Sequence, residues 1–399
     1  MTGPSDDASA ARPAVQAVRL AAQVARELIA PTRPSSLNDV PASASALTAE
    51  WLTAALCSEV PGAAVAELEV LGGSVGTSTR TALRVGYNAA GQQAGLPTRL
   101  FVKTAATLQQ RVMLMLGGMA ESETTFFRHI RPELDRLRSP RSYHAAFDRR
   151  TFRSIVLMDD LESEGWDFPD PMRETLARND AEDMVDQMAY YHGAFWEDAR
   201  LTRGPSRLPT SELFQHRLNG FGFEHATRVG IERGRSGIPP ALYRRKREIF
   251  PATMRSLRIN SSGPLTLVHQ DVHQGNWLRD GEGRMGLYDW QTAATGESTL
   301  DCTYALAVNL RVEDRRAWEH ELLERYLWRL GEEGVTDPPA FDQAWLRYRQ
   351  QPFHVLIWAL ATIGAGRLHA NLQPNDYMLR CLQRIATFVD DHESFHALP

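Results

Sequence analysis

The stretch that most constrains this chain is residues 267–291, LVHQDVHQGNWLRDGEGRMGLYDWQ. It sets His269, Asp271, Asn276 and Asp289 into the spacing H-x-D-x4-N-x12-D. Trp277 and Leu278 read as a short strand, Asp280-Gly281-Glu282-Gly283 as a turn, and Met285 to Tyr288 as the returning strand. The long gap is then a hairpin, and its closure brings Asp289 back beside Asn276. A carboxylate and an amide oxygen so placed can share one hard cation, which leaves Asp271 as a second carboxylate beside an attacking hydroxyl. Phosphoryl transfer from a metal-bound nucleotide needs those groups. Such a loop also demands an upstream sheet with a glycine-rich turn and a lysine for the phosphates.

The lysine is easy to find, because the chain has only two, Lys103 and Lys246, against 42 arginines. Where charge alone matters this chain uses arginine, so a lysine kept against that bias marks a site wanting a compact ammonium rather than a planar fork. Lys103 closes the apolar run Leu100-Phe101-Val102, and alternation puts Leu100 and Val102 on one face, Phe101 and Lys103 on the other. Lys246 sits in Arg244-Arg245-Lys246-Arg247, which reads as a solvated helix face. Upstream, Glu67 to Leu71 predicts a strand running into Gly72-Gly73-Ser74-Val75-Gly76-Thr77-Ser78, and Thr81 to Tyr87 predicts a second. A turn of that composition lets backbone N–H groups at Gly73, Ser74, Gly76 and Thr77 approach phosphates. It is not a Walker A loop, since GK[ST] is missing. A helix over roughly 110–131 follows, phased by Glu123, Phe126, Phe127 and Ile130. Glu123 is the expected partner of Lys103, with Glu121 as its competitor.

The chain's 399 residues can hold two or more lobes, each with its own core. Hydrophobic content of 43% and charged content of 23% are ordinary for a globular protein. A net charge of −5 gives no whole-protein drive toward nucleic acid. The longest apolar run, His354 to Gly366, is too short to span a bilayer and predicts a buried helix, so no membrane insertion is expected. Cys57, Cys302 and Cys381 match no metal pattern and suit a reducing cytoplasm. Residues 1–12 lack the pattern of a secretory signal.

Along the chain, residues 1–60 read as an N-terminal extension with helices. A helix over 13–30 carries Val15, Val18, Ala22, Val24 and Leu28 on one stripe, and Thr48 caps a helix over Ala49 to Leu56. Residues 61–160 are dominated by strands, the last of them Thr151 to Met158. Residues 161–399 are mainly helical, with helices expected at about 181–198, 211–230, 241–258, 299–311, 315–331, 340–364 and 373–390. The expected fold is α+β and bilobal, protein-kinase-like, with a small antiparallel-sheet N-lobe and a large helical C-lobe. The connector Asp159-Asp160-Leu161 is where backbone groups would hold the adenine edge.

With these parts in order, the chain resembles the aminoglycoside phosphotransferase and choline kinase-like superfamily, most of all the bacterial ecdysteroid-kinase-like phosphotransferases. The likeness covers about residues 40–390 and rests chiefly on VHQDVHQGNW and LYDWQTAATGESTLD. It implies a kinase-like fold and ATP- and Mg2+-dependent phosphorylation of a small-molecule hydroxyl. It would make Lys103 the phosphate-holding group, Glu123 its orienting partner, Asp271 the catalytic carboxylate, and Asn276 and Asp289 the magnesium ligands. Asp301, otherwise a helix N-cap, would brace the catalytic loop. Gln270 departs from the pattern, because family members commonly carry glycine there.

The acceptor is less constrained. Segment 199–260 carries thirteen basic residues against four acids in a chain that is acidic overall. Such a wall would repel a polycationic aminoglycoside and, with Phe214, Phe221, Phe223 and Tyr243, suits a neutral or anionic hydrophobic alcohol. His273, Trp277 and Trp290 flank the catalytic residues and are expected at the acceptor pocket, Trp277 alternatively in the core. The alternatives are an antibiotic phosphotransferase and a non-catalytic nucleotide-binding pseudokinase.

Overall fold

The computed structural model describes residues 13–29, 33–365 and 375–399. The chain divides into two compact units, Met1–Thr124 with Ser142–Asp160, and Thr125–Arg141 with Leu161–Pro399. The fold is α+β: an antiparallel sheet dominates the first unit and helices the second.

In the first unit the elements are α1 (Pro13–Ile29), α2 (Ala49–Leu56), β1 (Val65–Val75), β2 (Thr79–Tyr87), α3 (Ala89–Gln93), β3 (Arg99–Thr104), α4 (Leu108–Gly117), α5 (Met119–Thr125), β4 (Ser142–Asp148) and β5 (Arg153–Asp159). The five strands form one sheet in the order β1-β2-β3-β5-β4, antiparallel throughout. Alternate residues Leu83, Val85, Leu100, Val102, Ile155 and Leu157 give one face to a core completed by Trp51 and Leu52 of α2. Thr48 fixes the start of α2, its Oγ1 accepting from Trp51 N at 3.1 Å.

Several expectations are corrected here. The glycine-rich segment is not a loop: β1 continues through it, with Gly73 opposite Thr81 and Val75 opposite Thr79, so the turn is confined to Gly76-Thr77-Ser78. A register shift between Val70 and Gly72, with Gly72 at φ +135°, absorbs the irregularity, and at Gly73 a Cβ would lie 1.9 Å from Arg80 O. The helix expected over 110–131 breaks at Gly118, which adopts φ +74°. Strand β4 was not expected. Its neighbour β5 pairs with both it and β3, which burial patterning in β5 alone does not reveal. In α1, Leu20 is buried and Val18 is 69% exposed, so the apolar stripe read through Val18 is not the packed face. The phase is set instead by Glu27, which pairs with Arg111 at 2.8 Å and Arg153 at 3.0 Å.

The second unit contains α6 (Arg178–Ala194), α7 (Ser211–Asn219), α8 (Phe223–Arg233), α9 (Pro240–Arg244), α10 (Ile249–Asn260), β6 (Thr266–Val268), β7 (Trp277–Arg279), β8 (Met285–Leu287), β9 (Ala294–Gly296), α11 (Thr299–Asn309), α12 (Val312–Glu332), α13 (Phe341–Gln350), α14 (Pro352–Gly364), α15 (Asn375–Asp391) and α16 (Ser394–Ala397). Residues 125–141 belong to this unit for visible reasons. Phe126 stacks on Trp290 with ring centroids 3.9 Å apart, and Trp290 Nε1 donates to Ser139 Oγ at 3.1 Å. The buried Arg131 guanidinium donates to the carbonyls of Leu134, Leu137, Ser139 and Pro140. Three helices expected as single spans are broken, 211–230 at Gly222 (φ +80°), 241–258 between Arg244 and Ile249, and 340–364 before Pro352. Among the described residues no helix is long and apolar enough to cross a membrane.

Helices α8 and α14 meet backbone to backbone. A Cβ at Gly230 would lie 1.8 Å from Leu360 O, and one at Gly364 equally close to Ala226 O. Alanine in an exposed helix is worth up to about 1 kcal/mol over glycine. At Gly230 the clash with a carbonyl should reverse that sign. Gly230→Ala is expected to destabilise the protein by about 2 kcal/mol or more in urea unfolding; a stabilised variant would contradict the packing.

Candidate active site

In the first unit, β3 delivers Lys103 to the sheet face opposite the Leu100–Val102 core. The side chain is buried, and its Nζ lies 2.6 Å from Glu123 Oε1 of α5. The competitor Glu121 is turned outward, paired with the exposed Arg149. Gly73 and Ser74 lie in strand β1, while Gly76 and Thr77 form the turn. Gln110, which sequence reading missed, ties this turn down. Its Nε2 donates to Gly76 O, and its Oε1 accepts from Thr79 Oγ1, each at 3.1 Å. The only sequence signal was the capping box it completes with Thr107 at the start of α4. At the end of β5, Asp159 accepts from Tyr143 Oη at 2.6 Å, and Asp160 pairs with Arg99 at 3.0 Å. Both carboxylates therefore serve the fold, whatever their backbone atoms hold. Leu161, the first residue of the long second-unit segment, is buried.

In the second unit the hairpin forms as expected. Trp277 pairs with Leu287, and Tyr288 N donates to Asn276 O at 3.0 Å, so the residue before Asp289 is fastened to Asn276. Asp289 takes a left-handed conformation, φ 66° and ψ 60°. His269 is wholly buried and acts within the loop: Nε2 donates to Tyr288 O at 3.0 Å, and Nδ1 accepts from Asp271 N at 3.2 Å. Burial holds its pKa below the usual histidine value despite nearby Asp301 and Asp271. The neutral ring thereby links both halves of the motif.

Asp301 is not an N-cap, since it lies inside the first turn of α11. Its carboxylate accepts from His269 N (2.7 Å), Gln270 N (2.8 Å), Tyr191 Oη (2.7 Å) and His192 Nε2 (3.3 Å). Burial pushes its pKa up, but the His192 hydrogen bond and charge and the His269 contacts outweigh it and hold the carboxyl below its ordinary value. Gln270 sits at φ +66°, a conformation glycine adopts freely and other residues rarely. Here the side chain compensates by donating from Nε2 to Thr292 O at 2.8 Å, while His354 Nε2 holds the Gln270 carbonyl at 3.0 Å.

The carboxylate of Asp271 is gripped at both oxygens. Tyr304 Oη donates to Oδ1 at 2.9 Å, and Asn276 Nδ2 donates to Oδ2 at 3.2 Å. With Nδ2 turned to Asp271, the amide oxygen of Asn276 is the atom left for a cation. His273 Nε2 stands 3.7 Å from Asp271 Oδ1. His273 and Tyr304 also wall a small cavity together with residues of α14 and α15. Trp277 and Trp290 do not reach it: both are core residues, at most 1% exposed. None of the thirteen basic residues of 199–260 lines it either. Several of them pair locally instead, Arg228 with Glu224, Arg245 with Glu248, Lys246 with Glu232 and Arg258 with Glu212.

The profile of the phosphotransferase enzyme family matches residues 120–342, more than half of the chain, and the chain belongs to that family. It is thus a phosphotransferase. Similar solved structures include macrolide 2'-phosphotransferase MphH from Brachybacterium faecium, 17% identical over 79% of this chain and 91% of that one, TM-score 0.44. Choline kinase LicA from Streptococcus pneumoniae is 15% identical over 82% and 94%, TM-score 0.43. A microcompartment-associated aminopropanol kinase is 15% identical over 83% and 93%, TM-score 0.47. No curated protein sequence matches the chain.

Glu297, just after β9, gives a pH prediction. It is 4% exposed, Oε2 has no hydrogen-bond partner among the described residues, and Arg347 stands 3.4 Å from Oε1. Burial outweighs Arg347 and raises its pKa from 4.5 to about 7. Between those values the folded protein keeps a proton that the unfolded chain has released, so this group's contribution to stability falls as pH rises through the window. The full loss is about 3 kcal/mol. Glu297→Gln should therefore melt higher than the wild type at pH 8 and close to it at pH 5; equal gaps at both pH values would refute this account.

Proposed function

We propose that this phosphotransferase uses ATP with magnesium to phosphorylate the hydroxyl of a small, largely hydrophobic alcohol, neutral or anionic. The observation that carries the reading is the grip on Asp271: a carboxylate fixed by Tyr304 and Asn276, in a loop whose backbone is fixed by Asp301. A group so held can accept the alcohol proton as the oxygen bonds to the γ-phosphorus and the bond to the ADP oxygen breaks.

Lys103, oriented by Glu123, would hold the ATP phosphates, assisted by backbone groups of Gly73, Ser74, Gly76 and Thr77. Asp159, Asp160 and Leu161 would border the adenine through their backbone. Asn276 and Asp289 would ligate magnesium, whose chemistry is to neutralise phosphate charge. The donor set fits that ion. An amide oxygen and a carboxylate are hard oxygen donors, and magnesium commonly takes one or two such protein ligands beside phosphates and water. The phosphate-binding parts fall in residues 61–160, the catalytic, metal and acceptor parts in 161–399. The narrower kinship with ecdysteroid-kinase-like enzymes belongs to the same reading, as does a cytoplasmic setting for three buried unpaired thiols.

Arg258, Arg228, Lys246 and Arg245 pair with Glu212, Glu224, Glu232 and Glu248, so the anionic option rests on the remaining nine of the thirteen basic residues of the segment. Screening an alcohol library for magnesium-dependent ADP release, with wild type, Asp271→Ala and Lys103→Ala, tests the whole. Loss of the proton acceptor should lower kcat roughly 100- to 10,000-fold. Lys103→Ala should be similarly crippled. Equal rates in all three proteins would sink the kinase reading.

A further inference from the structure

The first unit contains a larger cavity, and none of the residues assigned to the nucleotide lines it. It opens between the C-terminal half of α1, residues 33–40 and the turn that joins β4 to β5. Its free space of about 350 Å3 falls within the range of about 300–1,000 Å3 usual for small-molecule sites. The inner wall is a fixed ion cluster, in which the single carboxylate of Glu27 meets two guanidinium groups, Arg111 and Arg153. Backbone holds both arginines as well: Arg111 Nε donates to Ala105 O and Arg153 Nη1 to Val40 O, each at 3.2 Å. Among the described residues neither pairs with a second carboxylate, so the wall keeps one uncompensated positive charge. Arg153 is only 9% exposed, and its Nε has no hydrogen-bond partner among the described residues. A buried charge left in this state is costly and calls for an anion. Two further lining residues, Arg26 and Arg33, are exposed, and no hydrogen bond or ion pair engages either among the described residues. The remaining carboxylates of the lining have neutral partners. Asp39 accepts from the amides and hydroxyls of Ser35 and Ser36, and Asp148 from Arg150 N and Thr151 Oγ1. Those bonds close local turns and leave both negative charges to offset Arg26 and Arg33. Counting Arg111 behind the wall, four guanidinium groups face three carboxylates, a surplus of one positive charge.

We propose that this cavity is a binding site for a small hydrophilic carboxylate. A monoanion balances the surplus charge, whereas a dianion overshoots it. A carboxylate also matches the planar guanidinium fork, which presents parallel N–H groups to its two oxygens. Arg26 and Arg33 have those groups uncommitted. Most of the remaining lining is polar, with Gln23, Asn38 and Thr151 beside the apolar Pro34 and Val40, which suits a ligand body carrying hydroxyl groups. The inner wall is already ordered by its own ion pairs, which lowers the cost of fixing side chains on binding.

The test is calorimetric titration of the full chain, at fixed ionic strength, with glycerate and gluconate and with their uncharged counterparts glycerol and sorbitol. The acids should bind about tenfold or more tighter than the matching alcohols, the worth of one charge-assisted hydrogen bond. Combining Arg26→Gln with Arg33→Gln, at two exposed positions, should weaken binding of the acids by about the same factor. The melting temperature of the unliganded double variant and its KM for ATP should stay at the wild-type values. Glucose 6-phosphate, close to a dianion at pH 8, should bind no tighter than gluconate. Acids bound no better than alcohols, or binding of neither, would overturn the proposal. Unchanged acid affinity in the double variant would overturn the assigned site. Glucose 6-phosphate bound well above gluconate would overturn the assigned class.

Discussion

The second unit is organised around one buried carboxylate. Asp301 receives two consecutive backbone N–H groups of the loop after β6, a tyrosine and a histidine, all within a fully buried site. A lone ion there would be prohibitive, and a carboxylate with four donors is not. The donors arrive from α6 and from the segment after β6, so the anion exists only when both are in place. His192 passes the constraint outward, its Nδ1 meeting Tyr326 Oη of α12 at 2.9 Å. Helix order and loop geometry are thus one cooperative arrangement.

From this hub the loop can hold a conformation that its own sequence resists. Gln270 in the left-handed region costs on the order of 1 kcal/mol or more. The strain persists because the residue is over-determined, with amide, carbonyl and side chain each committed to a different element. The result is a fixed direction for the next side chain, Asp271. Its two oxygens then meet Tyr304 of α11 and Asn276 of the following turn.

Much of this was legible in the sequence. Residue type and spacing sufficed for the β7–β8 hairpin, because a two-strand turn is a local device whose register follows from its length. The Lys103–Glu123 pair was also legible, since lysine is rare here and helical phase selects one glutamate. The glycine segment misled, because composition cannot tell a turn from a bulged strand whose glycines admit a neighbouring backbone. Strand β4 escaped although its hairpin with β5 is local, because it is an edge strand whose mostly half-buried residues show no clear apolar alternation. In the arginine segment the charge count was legible, but the closing of Arg228, Arg245, Lys246 and Arg258 on acids of the same segment was not, because those pairings are set by the folded helices. The cavity walls were beyond reach, for Tyr304, Val355 and Tyr377 come from three separate helices that no spacing rule connects.

The scarcity of lysine has a chemical consequence of its own. One of the two ammonium groups is sealed into an ion pair at 6% exposure, and the other lies on the surface at 37%. Amine-directed reagents ignore guanidinium groups, so on the folded protein the side chains offer them a single accessible address, Lys246. A dye or tether could be attached there without touching Lys103. Unfolding would open the second address, so the stoichiometry of acylation reads directly whether the first unit is closed around its buried lysine.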